Sequence, residues 1–200
     1  MNRVSTKPGA VQSAQESMDH TDHTNLLLDG IAAPGGVWAD FGAGTGAFTL
    51  ALADLLGPTA EIVAIDRDAT RLRANEQAMQ ARFPDTKARY VEADFNQALD
   101  LPTLDGIVIA NALHFTQNQA HVVELLRSYL GPAGRLLVVE YNIEHSNFAV
   151  PYPVPYPRWQ TLARGAGFAH TEVLARRPSR FLREIYSAAS WRVLNESPDA

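Results

Sequence analysis

The chain has 200 residues, 46% hydrophobic and 20% charged, with a formal net charge of −5 at pH 7. A single domain of this size buries roughly 70% of its unfolded surface and needs no covalent staple. It has no cysteine, which excludes disulfides, a thiolate nucleophile, zinc–cysteine sites and iron–sulfur ligation together.

The acidic balance argues against a nucleic-acid-coating protein, and no run reaches the roughly 18 apolar residues of a membrane span. Charge is unevenly placed. Residues 1–157 carry 10 Lys/Arg against 18 Asp/Glu, whereas residues 158–192 carry seven Arg against Glu172 and Glu184. A basic segment on an acidic body either attracts an anionic ligand or forms a solvated edge, and the solvated edge is the plainer reading.

Residues 1–24 are polar and read as a flexible tail or lid. They lack the apolar stretch of a secretory signal, so the expectation is a cytoplasmic enzyme or binding protein. The stretch Asp19-His20-Thr21-Asp22-His23-Thr24 holds metal-ligand residue types without a partner at defined spacing, so no metal is expected. The domain is expected over residues 25–192, with a short tail over 193–200.

Within that domain, apolar runs alternate with helical patterns. Val37-Trp38-Ala39 reads as a buried strand, followed by a glycine-rich turn and a helix from Phe48 that Gly57-Pro58 stops. Residues 61–65 form a second strand with no polar alternation, as in a parallel sheet. Asp68 caps a helix running to about Arg82, ended by Pro84. Strands are expected at 89–93, 106–110 and 135–141, with a helix over 118–130 closed by Gly131-Pro132. A Pro/Tyr-rich loop, a helix near 158–166 and two strands at 171–175 and 185–191 complete the pattern. Strand–helix alternation of this kind gives a doubly wound α/β sheet with right-handed crossovers.

The densest signal is Asp40-Phe41-Gly42-Ala43-Gly44-Thr45-Gly46-Ala47. Glycines at alternate positions let the backbone approach a ligand, and the following helix presents free N–H groups. The same residues satisfy G-x-G-x-x-A, with Asp66 at the next strand end, so a dinucleotide-dependent oxidoreductase competes. Two features favour a different adenosyl ligand. Asp40 stands two residues before the first glycine, where a carboxylate repels a pyrophosphate and suits an ammonium group. Asp94 ends the third strand, where an adenine amino group would lie. A short-chain dehydrogenase would also show Tyr-x-x-x-Lys, and lysine occurs only at positions 7 and 87.

On these residues the chain resembles the class I S-adenosylmethionine-dependent methyltransferases, whose acidic-x-G-x-G-x-G loop matches Asp40 to Gly46. The likeness covers most of residues 35–192 in strand order. It implies a mostly parallel, Rossmann-like sheet of seven strands with an antiparallel C-terminal strand, and S-adenosylmethionine as cofactor. It further implies that Gly42, Ala43, Gly44 and Gly46 pass beneath the methionine part, with Asp40 near its ammonium. Asp66 would accept the ribose hydroxyls, and Asp94 the adenine amino group. Phe95 would pack on the ring, Arg67 would cover it with its stem where the family often has an apolar residue, and Ala110, Asn111 and Ala112 would border the methionine end.

On the acceptor side, His114 is the candidate base, because imidazole takes a proton near neutral pH. Glu140 and Tyr141 end the fifth strand, with His145 four residues beyond. Tyr152 and Tyr156 lie in a segment with prolines at 151, 153, 155 and 157, a rigid wall for an acceptor pocket. Arg176, Arg177, Arg180 and Arg183 crowd the last strand turn and suggest an acceptor with an anionic group, Arg177 and Arg180 leading. The expected reaction is methyl transfer to a small molecule, with no nucleic-acid or membrane partner. A nicotinamide-dependent oxidoreductase and a non-catalytic adenosyl-ligand binder are the alternatives.

Overall fold

Strands β1 (Val37–Phe41), β2 (Glu61–Asp66) and β4 (Leu104–Ala110) are buried on both faces, as their nearly unbroken apolar sequences require. They occupy the middle of the sheet in a computed structural model that describes residues 18–179 and 182–192. Strand β3 (Lys87–Glu92) alternates between exposed and half-buried positions and forms one edge. The other edge is β6 (His170–Ser179), which pairs with β7 (Arg183–Trp191) beside β5 (Leu130–Tyr141). Charged residues and Pro178 on these outer strands discourage further strand pairing.

The strand order is β3-β2-β1-β4-β5-β7-β6. Pairings among β1 to β5 are parallel, and β7 runs antiparallel to both neighbours. The seven-stranded, mostly parallel sheet with an antiparallel C-terminal strand is thus the expected one. Chain order reverses between β1 and β4, which opens a crevice at their carboxyl ends.

Helices cover both faces. On one face, α1 (His20–Leu27), α2 (Ala47–Leu56) and α3 (Ala69–Arg82) contribute Leu26, Leu27, Leu52, Leu56 and Met79 to a core with Trp38 and Val139. On the other, α4 (Gln119–Tyr129) and α5 (Tyr156–Gly165) bury Leu126 and Trp159 against Ile107, Val138 and Tyr186. Gly106 is required by close approach: a Cβ there would stand 2.3–2.4 Å from the ring of Trp38, its partner on β1. No helix among the described residues is long and apolar enough to cross a membrane.

Several boundaries differ from expectation, among them β6, which runs to Ser179 instead of ending near 175 and so holds Arg176 and Arg177 within the strand. Helical order starts at His20, inside the segment expected to be a tail, because Asp19 and Asp22 form a reciprocal capping box. Strand β5 begins at Leu130, directly after α4, because Leu130 pairs with Leu104 across an irregular register. Helix α5 begins at Tyr156, since Pro157 in the first turn already has a helical φ and needs no donor. Expectations for residues 1–17 and 193–200 lie outside the described residues.

Candidate active site

The glycine loop runs between the end of β1 and the start of α2. Backbone N–H groups of Gly42 and Ala43 both donate to the carbonyl of Ile65, at 2.8 and 3.0 Å, which hooks the loop over β2. Gly42, Gly44 and Gly46 have φ of 74°, 53° and 98°. A Cβ on Gly42 would lie 2.5 Å from that of Ala112, and one on Gly46 would lie 2.5 Å from Oδ1 of Asn75. Those two glycines are demanded by protein packing. At Gly44 a Cβ would meet nothing nearer than a carbonyl oxygen at 4.0 Å, so its bareness leaves free space on the crevice side.

Asp66 ends β2, and its two oxygens brace the loop. Oδ2 accepts from the N–H of Gly44 at 2.8 Å and Oδ1 from that of Asp68 at 2.9 Å. Each oxygen retains a further lone pair. Arg67 beside it is exposed. Asp94 follows β3, and its Oδ1 accepts from the backbone and side-chain amides of Asn96, at 2.9 and 2.6 Å. Phe95 lies against the loop, its Cε1 3.5 Å from the position of a Gly42 Cβ.

Asp40 is buried, 1% exposed, and lies under the loop instead of lining an open surface. The hydroxyl of Thr49 donates to its Oδ2 at 2.7 Å, and the side-chain amide of Asn75 donates to that hydroxyl at 2.8 Å. Burial pushes the Asp40 carboxyl up to about 7; the Thr49 hydrogen bond opposes this, and the nearby charge of Asp66 adds to it. Neither Thr49 nor Asn75 carried a sequence signal of its own, because each becomes polar machinery only once α2 and α3 are folded against β1.

After β4 the chain turns sharply. Ala110 is buried, and Asn111 adopts φ 49° while its N–H donates to Val139 at 2.8 Å. Oδ1 of Asn111 is buried with no hydrogen-bond partner, an orphaned acceptor at the carboxyl ends of the strands. This orphan and the bare Gly44 both fit a ligand bearing a donor group in the crevice.

A short 3₁₀ turn, Leu113–Phe115, then buries His114 to 2% exposure. Nδ1 of His114 lies 2.6 Å from Oε2 of Glu140, whose Oε1 accepts the His114 backbone N–H at 3.2 Å. Glu140 is fully buried at the end of β5, so the carboxylate fixes both the turn and the ring. The Tyr141 ring centroid is 6.2 Å from that of His114, and burial, with the Glu140 charge, raises its hydroxyl pKa. Tyr152 belongs beside this pair. Its N–H donates to the carbonyl of His114 at 3.0 Å, and Gln119 donates to its own carbonyl at 2.7 Å.

Two of the expected acceptor residues point elsewhere. Tyr156 packs edge-on to Tyr186 at 5.7 Å, under the guanidinium of Arg176 and with its hydroxyl donating to Thr171, because α5 must cover β7. Arg177 pairs with Asp22 of α1, and Arg176 with Glu184 at 2.5 Å. Arg176 and Arg177 are therefore ion-paired within and beside the hairpin, tying β6 to its neighbours, whereas Arg183 at the start of β7 is exposed. Arg180 lies outside the described residues. His20 and His23 also serve α1: Nε2 of His20 lies 3.0 Å from Asp54, and His23 packs edge-on to Phe48. No metal-binding group of three or more His, Cys, Asp or Glu occurs among the described residues.

Residues 39–136 match the family model of a methyltransferase domain. Over 110 residues the chain is 30% identical to a ubiquinone/menaquinone biosynthesis C-methyltransferase from Pseudomonas aeruginosa, an alignment covering 54% of this chain and 43% of that one. A counterpart from Pasteurella multocida is 30% identical over 105 residues, covering 52% and 39%. The chain thus spans well under half the length of these curated relatives. Among solved structures, the YcgJ protein from Bacillus subtilis superposes with a TM-score of 0.70 at 12% identity, covering 86% of this chain and 99% of that one. An S-adenosylmethionine-dependent methyltransferase from Aquifex aeolicus gives 0.67 at 17% identity, covering 84% and 88%.

Proposed function

We propose that this chain, which belongs to the class I S-adenosylmethionine-dependent methyltransferases, transfers a methyl group from that cofactor to a small-molecule acceptor. The observation that carries the reading is the loop itself. Gly44 is left bare on the crevice side between two packing-required glycines, and Asp66 and Asp94 stand at the next two strand ends. The names of the curated relatives support a small acceptor, since they are C-methyltransferases of quinone biosynthesis.

When bound, the sulfonium supplies an activated methyl group, so the protein's work is mainly proximity and orientation. Asp66 accepts from the ribose hydroxyls with the lone pairs its loop contacts leave free. Asp94 accepts from the adenine amino group and Phe95 packs on the ring. Asn111 offers its orphaned Oδ1 to a donor at the methionine end. Asp40 acts from beneath the loop through its charge, favouring a cation in the crevice.

His114 is the base. The acceptor-only carboxylate of Glu140 draws the ring proton to Nδ1, which leaves Nε2 with a free lone pair. As the acceptor atom takes the methyl group, its proton passes to Nε2, and Glu140 stabilises the imidazolium that results. The cofactor would supply the methyl group as an electrophile, its sulfur keeping the electron pair of the bond that breaks.

Titration calorimetry with S-adenosylmethionine, S-adenosylhomocysteine and NAD tests the cofactor, with binding of the first two and not the third expected. Incubating the protein and isotopically labelled methyl donor with a metabolite extract tests the reaction, and labelled small molecules should appear. Tight NAD binding without S-adenosylhomocysteine binding would return the oxidoreductase reading.

A further inference from the structure

Four large hydrophobic residues are exposed among those described, and two of them, Phe115 and Tyr152, adjoin the histidine. Phe115 is 59% exposed, Tyr152 40% and Phe148 104%, with Leu28 the fourth, far along the chain on the turn after α1. Scattered exposed hydrophobics need no explanation, but a cluster bordering a site does. The 3₁₀ turn that buries Leu113 and His114 points Phe115 outward, and its ring centroid lies 4.3 Å from that of His114. Tyr152 is clipped to the same turn through the His114 carbonyl. Phe148 projects from an Asx turn in which Oδ1 of Asn147 accepts from the N–H groups of Ala149 and Val150. None of the three exposed rings is needed by the core.

The proline-rich part of the wall offers few free backbone donors. Pro151, Pro153 and Pro155 have no N–H, while the N–H groups of Tyr152 and Tyr156 are already used on His114 and Asn142. Of the described hairpin arginines, Arg176 and Arg177 are taken up by Glu184 and Asp22, and Arg183 stays exposed at the start of β7. An acceptor approaching Nε2 of His114 therefore meets ring faces on that wall, and neither of the two paired guanidinium groups.

We propose that Phe115 is the acceptor platform, with Tyr152 extending it, and that it selects an uncharged, planar aromatic acceptor carrying an ionisable hydroxyl. Stacking on Phe115 holds such a ring beside the imidazole, where its hydroxyl reaches Nε2; offset ring pairs favour this arrangement over an aliphatic ring of equal size. The inference rests on the methyltransferase reading for the role of His114, and is an alternative to the anionic acceptor that the arginine cluster suggested.

The test uses the full chain with saturating S-adenosylhomocysteine and two probes, 1-naphthol and its saturated analogue 1-decalol, measured by calorimetry. Expected are 1-naphthol binding at least tenfold tighter than 1-decalol, a tenfold or greater loss in Phe115→Ala, and retention in Phe115→Tyr, with S-adenosylhomocysteine affinity the same in all three proteins. Equal affinity for the two alcohols, or an unchanged 1-naphthol affinity in Phe115→Ala, overturns the platform. So does tight association with phosphatidylcholine vesicles that is lost in Phe148→Ser without any 1-naphthol binding, which would assign the rim to a lipid surface. Failure of S-adenosylhomocysteine to bind would sink the methyltransferase reading instead, and the two-alcohol comparison, repeated without it, still decides whether Phe115 prefers an aromatic ring.

Discussion

Replacing Asp40 by Asn removes one buried charge and keeps an oxygen for the Thr49 hydroxyl to donate to. Burial holds the Asp40 carboxyl near 7 instead of its ordinary 3.8, so between those values the folded chain keeps a proton that the unfolded chain releases. A folded state that binds the extra proton loses stability as pH rises, by about 1.4 kcal/mol per pH unit for one group. Asp40 therefore favours folding most below pH 4, and that advantage is lost progressively up to about pH 7, a total of about 4 kcal/mol as an upper figure. Asn has no such dependence. Urea denaturation of both proteins from pH 4.5 to 8.5 should show Asp40→Asn gaining on wild type up to about pH 7 and holding a constant lead above it. S-Adenosylmethionine should reverse the ranking, because a cation in the crevice favours the ionised carboxylate. Wild-type affinity should rise by about tenfold from pH 6 to pH 8 relative to Asp40→Asn, following the ionised fraction. A stability difference that stays flat with pH would refute a carboxyl that titrates near 7.

Asp66→Ala should weaken cofactor binding by about 1.5–3 kcal/mol, the range for hydrogen bonds to a charged group, with a cooperative urea transition retained; unchanged affinity by calorimetry removes its ribose role. His114→Ala should lower turnover by roughly 10²–10⁴-fold, while S-adenosylhomocysteine binds as in wild type. Turnover within a few-fold of wild type would leave His114 as a structural partner of Glu140. Gly106→Ala should destabilise by about 1–3 kcal/mol through overpacking against Trp38, measured by urea denaturation followed through tryptophan fluorescence; wild-type stability would mean that β1 and β4 can separate there.

Much of the glycine-loop side of the candidate site was legible because it is encoded over short distances. The run from Asp40 to Gly46 places backbone, acid and helix start within one strand–turn–helix, and Asp66 and Asp94 close the next two apolar runs. The side around His114 was less legible because its partners meet only across the fold. His114 sits in the turn after β4 and Glu140 near the end of β5, the adjacent parallel strand, yet they stand 26 residues apart in sequence. Asp22 and Arg177 meet because α1 packs against β6, which no local pattern announces. The start of α1 was missed for a different reason: Asp19 and Asp22 form a capping box with a short acid in the place of the usual Glu or Gln.

Sequence alone therefore determined the sheet and the loop, since hydrophobic period, glycine positions and strand-end acids act within one or two elements of each other. Tertiary structure decided which charges remain available. Burial made Asp40 a group that titrates near neutrality, ion pairing withdrew Arg176 and Arg177, and the pairing of β4 with β5 put a carboxylate behind His114. Solvation and pairing energies depend on what surrounds a group in three dimensions, and for these residues the surroundings come from segments distant in the chain.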